Sequence, residues 1–131
     1  MKINDLLNDP VKTLVSSFIH YAHHKLKLEG PVPEIEFSED EEEAVKHHHT
    51  GSYGIHNNKI WVYVKDRALV DILRTVCHEL VHAKQDQEGL LRHHDKAGSK
   101  HETQADAIAG TLIKLYGAEH HKIFASKNTL P

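Results

Sequence analysis

The segment Arg67 to Gln87 reads RALVDILRTVCHELVHAKQDQ, and two periodicities superposed in it decide the fold. Leu69, Ile72, Leu73, Val76, Leu80 and Ala83 recur at three- and four-residue steps. They form the apolar stripe of one long helix, expected over 67–87 with Asp66 as its N-cap and Gly89 as its stop. At 100° per residue His78 and His82 lie about 40° apart, on the side away from that stripe. Both imidazoles can therefore reach one tetrahedral metal ion. Glu79 projects about 100° from His78, so it can approach a metal-bound water rather than the metal itself. One face of the helix must pack on a sheet, and the other must meet polar chemistry.

Downstream, Arg92 to Lys100 is a polar stretch within a loop expected over 88–100, followed by a helix over about 101–116 that Gly117 stops and a shorter helical piece over 118–125. The second helix opens with Glu102-Thr103-Gln104-Ala105-Asp106, and Ala105, Ala109 and Ile113 share a face with the two acids. Small residues on that face let two helix backbones approach closely enough for Glu102 to complete a His₂Glu site with His78 and His82. Asp106, one turn on, can accept the remaining N–H of a ligand imidazole and fix its tautomer. His93, His94 and His101 are alternative third ligands.

Upstream, Val11, Leu14, Val15, Phe18, Ile19, Ala22 and Leu26 mark an amphipathic helix over about 10–27 that ends before Gly30 and Pro31. Glu34 to Phe37 alternates as a short strand, and the five carboxylates of Glu39 to Glu43 read as a solvated loop held open by repulsion. Segments 52–56 and 59–64, joined by Asn57-Asn58, read as a hairpin. Its second strand has Ile60, Val62 and Val64 on one face and Trp61, a core residue by this reading, and Tyr63 on the other. The expectation is a single α+β domain over 1–131. A small, mostly antiparallel sheet over about 34–64 packs on the active-site helix, and the next helix supplies the third ligand.

Composition sets outer limits. The chain has 131 residues, a formal charge of −3 and one cysteine. An internal disulfide is impossible, and no global basic field favours direct nucleic-acid contact. No signal-peptide pattern opens the chain and no run is long enough to span a membrane, so a cytoplasmic protein is expected. Histidine is abundant, 14 residues or roughly one in nine, which raises the chance count of an H-E-x-x-H match to about 0.1. The weight therefore falls on helix faces and on Glu102 and Asp106. His20 and His24 share the same spacing but lack the glutamate and point away from the apolar stripe, so they read as surface residues, as does the run His47 to His49. Cys77 turns toward the apolar stripe, where a buried, inert thiol is expected.

H-E-L-V-H at 78–82 followed by E-x-x-A-D at 102–106 resembles the gluzincin clan of zinc metallopeptidases, and the short chain is similar to ImmA/IrrE-type and small phage-encoded metallopeptidases. The resemblance covers roughly residues 50–116. It implies a compact zincin-like fold and one zinc ion on His78, His82 and Glu102. It also implies Glu79 as general base, Asp106 as a supporting carboxylate, and an edge strand over 50–56 that binds substrate backbone. The metzincin extension is absent, since Gln85 and Glu88 stand where it requires Gly and His. Peptide hydrolysis also needs an oxyanion donor, for which Tyr53, His101, Tyr116 and His120 are candidates. The expected partner is a peptide or protein substrate, with no membrane; oligomeric state is open. Two alternatives stand beside this reading. One is a non-catalytic zinc-binding structural or interaction domain whose fourth position is filled by His101 or His94. The other is an SprT-like protease that acts on nucleic-acid-bound proteins.

Overall fold

The computed structural model describes residues 9–47, 49–91 and 100–125. Helix α1 (Asp9–Lys25) leads to strand β1 (Glu34–Ser38), helix α2 (Glu41–His47), strands β2 (Gly51–Gly54) and β3 (Lys59–Tyr63), helix α3 (Leu69–Gln87), helix α4 (Lys100–Glu119) and the short helix α5 (Lys122–Ala125). Phe18 and Ile19 of α1, Ile35 and Phe37 of β1, Ile60 and Val62 of β3, and Leu69, Ile72, Leu73, Val76 and Leu80 of α3 are buried in one core with Ala109, Ile113 and Ile123. The α+β class and the apolar stripe of the central helix are as the sequence predicts. No helix among the described residues is long and apolar enough to cross a membrane.

The sheet is mixed rather than mostly antiparallel. Its order is β1-β3-β2, with β1 parallel to β3 (Ile35 opposite Ile60) and β2 antiparallel to β3 (Ser52 opposite Trp61). The expected hairpin is present, but the central strand is the last in sequence. Strand β1 therefore joins it after a crossover through α2 and β2, a parallel pairing that needs a long connection.

Three local expectations are corrected. The acidic run does not form an open loop: Asp40 Oδ1 accepts the N–H groups of Glu42 (2.9 Å) and Glu43 (3.3 Å) and caps α2. Acids in the first turn then sit at the positive end of the helix dipole, where their charge stabilises the helix. Glu43 Oε2 also accepts Trp61 Nε1–H at 2.6 Å, so the buried indole finds its partner on α2.

Asp66 does not cap α3. Its φ is +55°, and the N-cap is Ala68, without a side-chain cap. Arg67 secures this end instead, donating to the Tyr63 carbonyl (2.6 Å), Thr75 Oγ1 (2.7 Å) and the Asp71 carbonyl (3.1 Å).

Gly117 does not stop α4, which continues to Glu119. A Cβ there would collide with the Phe124 ring, so the glycine serves close packing of α5. The end of α3 is as expected: Gly89 has φ +75°, and the Gly89 and Leu90 N–H groups donate to the carbonyls of Asp86 and Gln85.

Candidate metal centre

Helix α3 is amphipathic in an unusual sense, because its non-apolar face is largely buried as well. Arg74, His78, His82 and Gln85 fall at steps of four, four and three and lie within about 40° of His78 around the axis. Helix α4 closes over the C-terminal part of this stripe. Ala105 and Ala109 are fully buried, and these small side chains permit the close approach of the two helices.

The approach brings His78, His82 and Glu102 together, with one ligand atom of each within 4.8 Å of the others. His78 Nε2 lies 3.1 Å from His82 Nε2 and 3.2 Å from Glu102 Oε2, and His82 Nε2 lies 2.6 Å from Glu102 Oε1.

The opposite ring nitrogens fix the proton inventory. His78 Nδ1 faces Asp106 Oδ1 at 2.8 Å, and His82 Nδ1 faces Gln85 Oε1 at 2.7 Å. The Gln85 amide cannot be reversed, because its Nε2 donates to the His101 carbonyl (3.0 Å) and to Gln104 Oε1 (2.8 Å). Each Nδ1 therefore carries a hydrogen, and in the neutral rings both Nε2 atoms present lone pairs. With both rings neutral, two lone pairs and a carboxylate converge. One metal ion would satisfy all three groups at once. The group could hold a metal ion.

Glu79 lies beside this cluster, 6% exposed, with its Oε2 4.0 Å from His78 Nε2. Burial first, then the charges of Glu102 and Asp106, push its carboxyl up to about 8. A carboxyl in that range is matched to proton transfer near neutral pH. Gly51 makes room for it: a Cβ there would stand 2.5 Å from Thr75 Cγ2 and 3.1 Å from Glu79 Oε2.

A cleft of about 520 Å³ opens onto the cluster, with His78, Glu79, His82 and Glu102 on one side and β2 on the other. Strand β2 is an edge strand. Tyr63 N–H donates to the Thr50 carbonyl (2.8 Å), so by alternation Gly51 and Tyr53 direct their backbone groups away from β3, Gly51 from a buried position and Tyr53 from a part-exposed one. Ile55 and Leu91 add apolar surface.

The four oxyanion candidates separate. Tyr53 lines the cleft, but its hydroxyl donates to Asp86 Oδ2 at 2.6 Å, and burial, then this bond, raises its pKa. The Tyr116 hydroxyl donates to Ser17 of α1, its ring stacks on His120 at 3.9 Å, and neither residue lines the cleft. His101 also lies outside the lining and offers its carbonyl to Gln85.

His93 and His94 lie outside the described residues. His20 and His24 are exposed, as expected of surface residues, and Cys77 is buried, its thiol pushed up to about 12 by burial. His49 is exposed at the cleft lining.

Sequence reasoning overlooked Gln85, Gly51 and Arg74. For Gln85 and Arg74 a signal existed, since both continue the His78–His82 stripe in steps of three or four residues.

Compared with protein-family models, curated proteins and solved structures, the chain matches none.

Proposed function

We propose that the chain is a zinc-dependent metallopeptidase of zincin-like fold that hydrolyses peptide bonds. The observation that carries this reading is the convergence of His78 Nε2, His82 Nε2 and the Glu102 carboxylate beside buried Glu79, at the side of a cleft bordered by an edge strand. The donor set of two imidazoles and one carboxylate suits zinc; the 3.1 and 3.2 Å separations approach the roughly 3.3 Å edge of a tetrahedral site with ligands at about 2.0–2.1 Å, while His82 Nε2 and Glu102 Oε1 stand closer, at 2.6 Å. When bound, zinc supplies Lewis acidity, polarising a carbonyl and acidifying water.

The chain's own residues do the rest. The Tyr53 backbone groups that face away from β3 pair with an extended peptide and hold the scissile carbonyl against the cluster. Glu79 takes a proton from the attacking water and returns it to the leaving amine, while Asp106 and Gln85 hold the two imidazoles by their Nδ1 hydrogens. Among the described residues no fourth ligand joins the three and the cleft opens onto them, which favours this reading over a purely structural zinc site, in which a fourth protein ligand would close the coordination shell.

The test is Glu79→Gln. The variant should retain one zinc per chain, measured by competition with a chromophoric chelator, and lose at least about 100-fold in peptide hydrolysis. Undiminished hydrolysis by that variant would overturn the mechanism.

A further inference from the structure

Arg74 is the one side chain of the α3 polar stripe that the metal cluster and its supports leave unused. It is exposed, lines the same cleft as His78, Glu79 and Glu102, and stands one helical turn before His78. Among the described residues no hydrogen bond or ion pair engages it. The neighbouring arginine behaves differently, since Arg67 spends its guanidinium on Tyr63, Asp71 and Thr75.

The cleft's charges are otherwise committed. Glu102 faces the two imidazoles, and Glu79 is buried against them. Among the described residues Arg74 is thus the permanent positive charge of the lining, set in a cleft whose surface away from the cluster is backbone, hydroxyl and aliphatic side chain together with the Tyr53 ring and the exposed His49 imidazole. A planar guanidinium with its donors unspent matches a carboxylate, which it can hold through two parallel hydrogen bonds.

Spacing locates that carboxylate. Four residues of helix separate Arg74 from His78 by about 6 Å along the axis, while an extended peptide advances about 3.3 Å per residue. A carboxylate on Arg74 therefore lies about two residues from a carbonyl placed at the His78–His82–Glu102 cluster.

We propose that Arg74 forms a carboxylate-binding subsite of this cleft, and that the preferred substrates are peptides with a carboxylate within about two residues of the bond attacked. This inference rests on the peptidase reading above. The carboxylate has two sources, an Asp or Glu side chain or the free C-terminus of the peptide.

The experiment uses the zinc-loaded full chain and four fluorescein-labelled peptides of otherwise neutral sequence. One is an amidated hexapeptide with a Glu beside the central bond, one is a pentapeptide whose free C-terminus lies two residues past the corresponding bond, one is a neutral amidated hexapeptide, and one is the first peptide with Lys in place of Glu. Binding is read by fluorescence anisotropy and cleavage by chromatography. At least one carboxylate peptide should bind about tenfold more tightly than the neutral one, and which of the two does so identifies the source. Arg74→Gln should abolish the difference, Arg74→Lys should restore part of it, and Arg74→Glu should transfer the preference to a peptide with Lys in place of Glu.

The outcomes separate the two ideas. Arg74-dependent binding without cleavage upholds the subsite and overturns the peptidase reading. Cleavage with no carboxylate preference, or with a preference that survives Arg74→Gln, overturns the subsite and leaves the peptidase reading standing. Neither binding nor cleavage overturns both.

Discussion

His82 Nδ1 lies 2.7 Å from the amide oxygen of Gln85, and the Gln85 amide nitrogen reaches across to the first turn of α4, where it meets the His101 carbonyl and Gln104. The side chain is 1% exposed. One amide thus orients a histidine of the candidate metal centre and fastens the helix that carries Glu102. Gln85→Leu keeps the approximate size and removes both functions. Zinc affinity should fall about 10- to 100-fold, the usual scale for losing a partner that orients a ligand imidazole. Competition with a chromophoric chelator measures it, and ¹⁵N chemical shifts of the His82 ring report the loss of the fixed tautomer, which a merely destabilised fold would leave in place.

Asp106 supports His78 as Gln85 supports His82, but from an exposed position, with a side chain 75% accessible to solvent. Water can replace part of what it provides. Asp106→Asn, whose side-chain oxygen can still accept the hydrogen, should weaken zinc binding less than Gln85→Leu does. A larger loss for Asp106→Asn in the same competition assay would show that its charge, rather than its hydrogen bond, matters most.

Glu79 gives the metal-free protein a pH-dependent liability. Its carboxyl has an ordinary value of 4.5, raised in the folded chain to about 8 by burial and by Glu102 and Asp106. Between those values the unfolded chain has released the proton and the folded chain still holds it, so stability falls as pH rises through this window. Glu79→Gln removes the titration. After chelation the two proteins should be similarly stable near pH 4.5, and the variant should be more stable by a few kcal/mol near pH 8. Urea denaturation across that range checks the sign, and added zinc should flatten the slope because a nearby cation favours the carboxylate.

Gly51 tests the close approach of β2 to α3. Gly51→Ala places a methyl 2.5 Å from Thr75 Cγ2 and should cost about 1–3 kcal/mol by overpacking. Thr75→Ser removes that methyl but keeps the hydroxyl that accepts from Arg67 and donates to the Asp71 carbonyl. In a double-mutant cycle followed by denaturation, the pair should recover most of the loss. Additive losses would mean that the clash is relieved elsewhere.

The convergence of His78, His82 and Glu102 was legible in the sequence because a helix converts spacing directly into geometry. His78 and His82 at four residues, and Glu102 and Asp106 at four, need only two helices and small residues between them, and Ala105 and Ala109 announce that contact. The parts that escaped depend on contacts distant in sequence. Nothing local shows that Glu43 will meet Trp61 eighteen residues later, so the acidic run looks purely repulsive until Asp40 caps it. Parallel pairing of β1 with β3 is likewise invisible in two short alternating segments, since either direction satisfies the same alternation. The Gly117 signal was read correctly as special and wrongly as an end, because a close approach by Phe124 and a helix stop both ask for glycine.

The division of the cluster between α3 and α4 has a topological consequence. A metal ion held by His82 and Glu102 ties together residues about 20 positions apart and closes a ring of chain that includes the 92–99 segment. In chain-entropy terms such a ring restrains the unfolded state much as a disulfide would, by about 3 kcal/mol for a loop of this size. With Cys77 its only cysteine, this chain cannot form such a covalent cross-link within itself. The ion would be a reversible substitute, one whose strength varies with zinc supply rather than with the redox state of the surroundings.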